Sequence, residues 1–179
     1  MKKLSCYLLI LIAYSCIPYK IAPNIEGEKI IKAKKFKKNL PNFYGFIFED
    51  PKNANEFYNF INAKYNLKHL NVDSNVPISI NNETYYLSFF EREKATETIN
   101  LIPIAVDAGL QSKGNDPIFE DNYTSRKGYW YLVLTVTDPK FKDCLNPNHP
   151  QHGKIVNHLK KLKDEYFSTS NYMEAYLKM

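Results

Sequence analysis

Short strand-like runs of apolar residues dominate the middle of the chain. They are FYGFIFE (43–49), VPISI (76–80), TYYLSFFE (84–91), TINLIPIAV (98–106) and YWYLVLTV (129–136). Each run is rich in β-branched or aromatic residues and is bounded by turn-forming residues, which is typical of β-strands. The last run is apolar at nearly every position, and this predicts a central strand that is buried on both faces.

Two further apolar runs recur at helical spacing. The first follows the helix-starting pair Asp50-Pro51 and comprises Ala54, Phe57, Ile61 and Tyr65. The second lies near the C-terminus and comprises Ile155, Leu159, Leu162 and Tyr166, with another short helix expected around 172–177. Strands and helices together predict an α+β fold, with a mostly antiparallel sheet of about five or six strands and helices mainly on one face.

Turn and charge patterns add two local predictions. Asn81-Asn82-Glu83 separates two strand-like runs and predicts a hairpin, because asparagine tolerates positive φ angles. The lysine-rich run KIIKAKKFKK (29–38) predicts a solvated edge strand, since lysines protect an edge from pairing with other chains. Alternatively, these lysines contact an anionic membrane surface.

Composition favours a folded domain and argues against nucleic-acid binding. The 179 residues are 44% hydrophobic and 24% charged, which is ordinary for a globular protein. The net charge is +5, but Arg92 and Arg126 are the only arginines among the 24 basic residues. Base readout and bidentate phosphate contacts depend on arginine, so no nucleic-acid partner is expected.

The N-terminus has the pattern of an export signal. Lys2 and Lys3 precede an apolar run from Leu4 to Ala13, which is too short to span a bilayer core that needs about 20 residues. Small residues at 13 and 15 then predict cleavage after Ser15. The expected organisation is a signal peptide at 1–15, a tether at 16–28 and one globular domain at 29–179.

The residue after this predicted cut is Cys16, and here the stretch resembles the signal of bacterial lipoproteins. The resemblance is limited to residues 1–16 and implies that the Cys16 thiol is acylated, so that lipid attaches the mature chain to a membrane of the cell envelope. The absence of acidic residues directly after Cys16 favours the periplasmic side. Two alternatives stay open: plain secretion after cleavage, and a retained N-terminal helix. Cys6 leaves with the signal, so Cys144 has no partner for an intramolecular disulfide.

Residues 107–128 are predicted to form a long loop without regular structure. Such loops in compact domains are often functional. Together with the only tryptophan, which follows the loop, this stretch supplies the weak binding candidates Asp107, Asp116, Glu120, Asp121, Arg126 and Trp130. The acids also give the alternative hypothesis of a hydrolase that uses them for acid–base chemistry.

A second group of side chains has metal-ligand chemistry. Cys144, His149 and His152 lie within nine residues and are weak candidates for a zinc site, but their spacing matches no common zinc motif. We therefore expect no metal and no cofactor. No nucleophile elbow, phosphate-binding glycine loop or H-E-x-x-H motif occurs.

These observations favour a non-catalytic function. We expect a lipid-anchored envelope protein that binds or assembles with a protein or glycan partner. A periplasmic hydrolase, using the 107–128 acids or the Cys/His group, is one alternative. An immunity or inhibitor lipoprotein is the other.

Overall fold

The computed structural model describes residues 16–169. The predicted export signal at 1–15 and the predicted short helix around 172–177 lie outside the described residues. Within them, no helix is both long and apolar enough to cross a membrane.

The described chain forms an α+β fold built on one antiparallel sheet, as predicted. Its strands are β1 (Cys16–Lys20), β2 (Lys29–Lys32), β3 (Tyr44–Asp50), β4 (Val76–Ile80), β5 (Glu83–Asn100) and β6 (Thr124–Thr137). The strand order is β1-β5-β6-β3-β2, and β4 also pairs with β5. The helices are α1 (Ala33–Phe36), α2 (Glu56–Lys64), α3 (Leu101–Gln111) and α4 (His152–Ser168), and a 3-10 turn occupies Glu120–Asn122.

The contacts divide the chain into two compact units. Of the described residues, the smaller unit contains 16–24 and 93–129, and therefore β1, α3 and the 3-10 turn. The larger unit contains the described residues 25–92 and 130–169, and therefore β2, β3, β4 and the other three described helices. Strands β5 and β6 each contribute residues to both units.

The core of the larger unit lies between its strands and helices α2 and α4. It is formed by Phe46, Phe48, Phe57, Phe60, Ile61, Leu87, Leu132, Leu134, Leu159 and Tyr166, all of which are buried. Alternate residues of β3 and β6 face the opposite way, where Tyr131 packs edge-on against Phe36 of α1 at 5.4 Å between ring centroids. Gly45 is required on this second face, because a Cβ there would lie 2.7 Å from Val133 Cγ1.

Several predicted elements are confirmed. Strand β6 has neighbours on both sides and its residues 131–137 are buried, as the apolar run indicated. The β4–β5 hairpin turns at Asn81 and Asn82, both with positive φ angles. Strand β2 is an edge strand, although the lysine-rich run becomes helix α1 after Lys32.

Three local predictions were wrong. Helix α2 begins at Glu56 rather than at Pro51, because Asp50 is the last residue of β3. Residues 101–111, predicted as the end of a strand and the start of a loop, form α3; Pro103 lies in the first turn, where its missing N–H costs no helical hydrogen bond. Residues 16–20, predicted as part of a tether, form β1 and pair with β5.

Candidate functional site

Cys16 is exposed at the start of β1. Its Cα pairs in register with Asn100, and its Sγ donates a hydrogen bond to Asn100 Oδ1 at 3.2 Å. Asn100 is the last residue of β5 and directly precedes α3. The thiol is therefore accessible for covalent modification in the smaller unit, at the point where β5 ends and α3 begins.

Asp107, the first of the predicted binding residues, has a structural role. Its carboxylate is buried within the smaller unit and accepts hydrogen bonds from the backbone N–H groups of Ile118 (3.0 Å) and Phe119 (2.8 Å) and from the Tyr123 hydroxyl (2.8 Å). Desolvation raises the pKa of Asp107, but the three donors outweigh it and lower the pKa overall. Asp107 therefore holds the segment at 118–123 against α3 through these hydrogen bonds.

The structure does not gather the other candidates of this stretch around one centre. Asp116, Glu120 and Asp121 are exposed. Arg126 instead pairs with Glu93, its Nη2 donating to both carboxylate oxygens at 2.8 Å. No hydrogen bond described within 16–169 joins two of the residues that the sequence singled out between 107 and 126.

Trp130 lies in the larger unit beside two carboxyl groups that were not predicted from the sequence as functional. Its register partner is Asp50 on β3, and Glu91 on β5 lines the same cleft. Desolvation raises the pKa of both carboxyls. The cleft has a free volume of only about 10 Å³, the room of about one water molecule, and so it encloses no larger ligand.

The carboxylate of Asp50 is hydrogen-bonded within the protein. It accepts hydrogen bonds from the Tyr166 hydroxyl (3.0 and 3.1 Å) and from the Lys52 backbone N–H (3.0 Å). Lys52 Nζ in turn donates to the carbonyl oxygens of Tyr166 and Thr169. These contacts hold the end of β3 against the last turn of α4.

The three predicted metal candidates do not form a metal site. Cys144 is fully buried, and burial raises the pKa of its thiol to about 12, so that the thiolate needed for metal binding is disfavoured. His149 Nδ1 accepts a hydrogen bond from the Gln151 N–H at 3.3 Å. His152 starts α4. Across residues 16–169, no group of three or more His, Cys, Asp or Glu side chains is placed to hold a metal ion.

A groove of ligand size lies beside His149, in the larger unit. Its volume is about 490 Å³, and its lining residues are Glu83, Thr84, Tyr85, Asp138, Pro139, His149, Pro150 and Gln151. Volumes of about 300–1,000 Å³ are typical of small-molecule sites. Sequence analysis missed this groove because the hairpin turn and the 138–151 loop meet only in the folded chain.

Two carboxylates, those of Glu83 and Asp138, supply hydrogen-bond acceptors to this groove. Glu83 Oε2 accepts the Tyr85 hydroxyl at 2.6 Å, which together with desolvation raises the pKa of Tyr85 to about 12. Asp138 Oδ1 accepts the N–H groups of Lys140 (2.8 Å) and Lys142 (2.9 Å), while its Oδ2 lies 3.9 Å from His149 Nε2. Because these carboxylates sit between tyrosine and proline walls, the groove suits a ligand with several hydroxyl donors.

Comparison of the chain with protein-family models, with curated proteins and with solved structures gave no match.

Proposed function

We propose that this chain is a lipid-anchored protein of the bacterial cell envelope that binds an envelope glycan without transforming it. Lipid on Cys16 attaches it to the membrane, facing the periplasm, and the groove beside His149 receives the glycan. The observation that carries the proposal is the exposed Cys16 thiol at the residue where the sequence pattern puts the lipid.

The anchor has support from both chemistry and placement. The small residues before Cys16 fit cleavage directly in front of it, and its thiol is exposed rather than used in the core. Cys144, in contrast, is fully buried. Of the two described cysteines, only the one in the lipoprotein-like sequence is available for acylation.

The glycan assignment follows from the groove's chemistry. Sugar hydroxyls donate to carboxylates, and the C–H faces of sugar rings pack against tyrosine and proline. Glu83 and Asp138 supply the acceptors, and Tyr85, Pro139 and Pro150 supply the apolar walls. The buried thiol of Cys144 and the hydrogen-bonded Nδ1 of His149 do not support Cys/His hydrolysis. The carboxylates of Glu83 and Asp138 already accept hydrogen bonds from the protein itself, and this favours a binding role.

Intact-mass analysis of protein purified from its native cells tests the anchor. We expect a chain that begins at Cys16 and carries the added mass of acyl groups, because the predicted cut lies directly before a cysteine whose thiol is exposed. A chain with a free thiol at residue 16, or one that still carries residues 1–15, would show that the anchor assignment is wrong.

Filling the groove tests the glycan assignment. Thr84 is an exposed residue of β5 on the groove wall, and Thr84→Trp should fill much of the space without disturbing the core. We expect binding of peptidoglycan glycan fragments, measured by titration calorimetry, to weaken by more than about tenfold, since a blocked site forfeits most of its contacts.

Thr124→Trp is the matched control for the groove. Thr124 is also an exposed strand residue, but it belongs to the smaller unit. It should bind the fragments as the unmodified protein does. Equal binding by all three proteins would exclude the groove as the glycan site, and no binding by any of them would reject the glycan as ligand.

A further inference from the structure

The outer face of α3 is apolar although it is exposed. Leu101, Ile102 and Val106 are 41%, 47% and 44% exposed. The remaining residues of this face, Ala105, Ala108 and Gly109, are exposed as well. At 100° per residue these six positions share one side of the helix, and none of them is polar.

The inward face of α3 holds the polar group. Asp107 is the helix's one buried residue, and its carboxylate is satisfied by Ile118, Phe119 and Tyr123. A surface helix ordinarily turns its apolar stripe inward and its polar residues outward. Because three hydrogen bonds fix the carboxylate inside the unit, the apolar side of α3 is held outward.

The smaller unit also exposes apolar side chains outside the helix. The segment that Asp107 holds against α3 exposes 67% of Ile118 and 37% of Phe119. Ile17 and Tyr19 of β1 and Ile21, which directly follows it, are also exposed. Six apolar positions on one exposed helix face are unusual for an ordinary solvent face and mark an interaction surface.

The position of Cys16 indicates what covers this surface. Cys16 pairs in register with Asn100, whose Oδ1 accepts its Sγ–H, and α3 starts at the next residue, Leu101. No linker therefore separates the predicted lipid-bearing residue from the start of the apolar helix. Acyl chains on Cys16 enter a bilayer at this point, which brings the helix to the headgroup level.

We propose that the outer face of α3 lies in the membrane interface, so that the smaller unit is seated on the bilayer and not merely tethered to it. This inference rests on the proposed lipid anchor. Helices that lie in the interface bury their apolar side about 5–10 Å into the headgroup and acyl boundary. Tyrosine is enriched at that level, and Tyr19 of the adjacent β1 is exposed.

An environment-sensitive label at Val106 tests this seating. Acylated full-chain protein with Val106→Cys, labelled with a nitrobenzoxadiazole (NBD) dye, is reconstituted into vesicles of phosphatidylethanolamine and phosphatidylglycerol. Labelling is confined to the new thiol because Cys144 is fully buried, Cys16 is acylated, and Cys6 is removed with the predicted signal peptide. We expect nitroxide-labelled lipids to quench the dye and aqueous dithionite not to reach it.

A label at Leu70 is the control. Leu70 is apolar and 70% exposed, but it belongs to the larger unit and has no link to Cys16. Its dye should stay accessible to dithionite. Equal accessibility at Val106 and Leu70, or equal quenching at both, would overturn the proposal. Protection of the Val106 dye without quenching by nitroxide lipids would also overturn it, and would point to a second copy or a protein partner.

A charge on the same face gives a second test. Ile102 lies one helical turn before Val106, and Ile102→Asp should weaken insertion of the face by about tenfold, because a carboxylate resists transfer into the apolar boundary. Leu70→Asp should leave the Val106 dye quenched. The intact mass of each sample reports acylation separately, so loss of the lipid is distinguished from loss of seating.

Discussion

The Cys16→Ser variant is expected to leave the membrane fraction almost completely and to appear in the soluble periplasmic fraction. Each buried methylene of an acyl chain contributes about 0.8 kcal/mol, and anchoring that is stable rather than reversible needs more than one chain. Serine offers no thiol for acylation, whereas the small residues at 13 and 15 still permit ordinary cleavage. Cell fractionation followed by immunodetection measures the shift.

The α3 surface alone is not expected to hold the Cys16→Ser variant on the membrane. Three of the six residues on its outer face are alanine or glycine, so the apolar area that it can bury is small. Because each Å² of buried apolar area contributes only about 25 cal/mol, this face adds little membrane affinity. Acylation and seating therefore contribute unequally: the lipid provides the affinity, and the helix sets the orientation.

Cys144→Ala is the control, because it removes the other described thiol without touching the attachment site. It should stay in the membrane fraction. If the Cys16→Ser variant stays in the membrane fraction, its intact mass shows which other part of the chain anchors it. A membrane-bound variant without residues 1–15 would mean that the lysine-rich segment or α3 is the anchor. A membrane-bound variant that keeps residues 1–15 would mean that the N-terminal apolar run is a retained helix.

The elements with a consistent pattern were predictable from the sequence. The run at 129–136 is apolar at nearly every position and lies in the central strand β6, and the asparagines at 81 and 82 turn the hairpin with positive φ angles. In both cases the local preference and the tertiary environment agree. The α+β class followed from these elements because strands and helices alternate without the regular order of a parallel sheet.

Helix α3 was mispredicted because its apolar residues lie on the exposed side of the helix, whereas those of an ordinary surface helix lie on the buried side. The run from Leu101 to Val106 is continuously apolar and rich in β-branched residues, which is typical of a buried strand. The structure makes it a helix whose apolar side faces outward, because the Asp107 carboxylate is buried and hydrogen-bonded. Prediction from hydrophobic periodicity assumes that apolar residues face the protein core. It gives the wrong element where, as in α3, the apolar residues are on the exposed side.

The ligand groove could not be predicted from the sequence because its parts are distant along the chain. Glu83 and Thr84 begin β5, while Asp138 and His149 belong to a loop more than fifty residues later. Only the packing of these segments in the larger unit brings them together. His149 was a weak metal-ligand candidate because of its side-chain chemistry and its nearness to Cys144 and His152 in the sequence. In the structure the backbone N–H of Gln151 donates to one of its ring nitrogens.

The Phe57→Ala variant is expected to cause the largest loss of stability among single core substitutions in the larger unit. Phe57 on α2 is fully buried. Its ring meets those of Phe48, Phe60, Phe89 and Tyr166 at centroid distances of 6.3, 5.9, 4.9 and 5.0 Å. These partners come from β3, α2, β5 and α4, so one side chain joins four elements.

Replacing Phe57 with alanine loses the hydrophobic stabilisation that the buried ring provides. It also leaves a cavity that the neighbouring rings fill only in part. We expect the free energy of unfolding to fall by about 3–5 kcal/mol. Urea denaturation measures this change, and the fluorescence of Trp130 reports on the larger unit because the chain has no other tryptophan.

Phe167→Ala provides the matched comparison. Phe167 also contacts Phe48, at 5.6 Å between ring centroids, but it is 40% exposed and so leaves no closed cavity when it is truncated. Its loss should cost less than about 1.5 kcal/mol. An equal or larger effect of Phe167→Ala would mean that α2 is not the element on which the core depends, and that the contact between β3 and the end of α4 stabilises the larger unit instead.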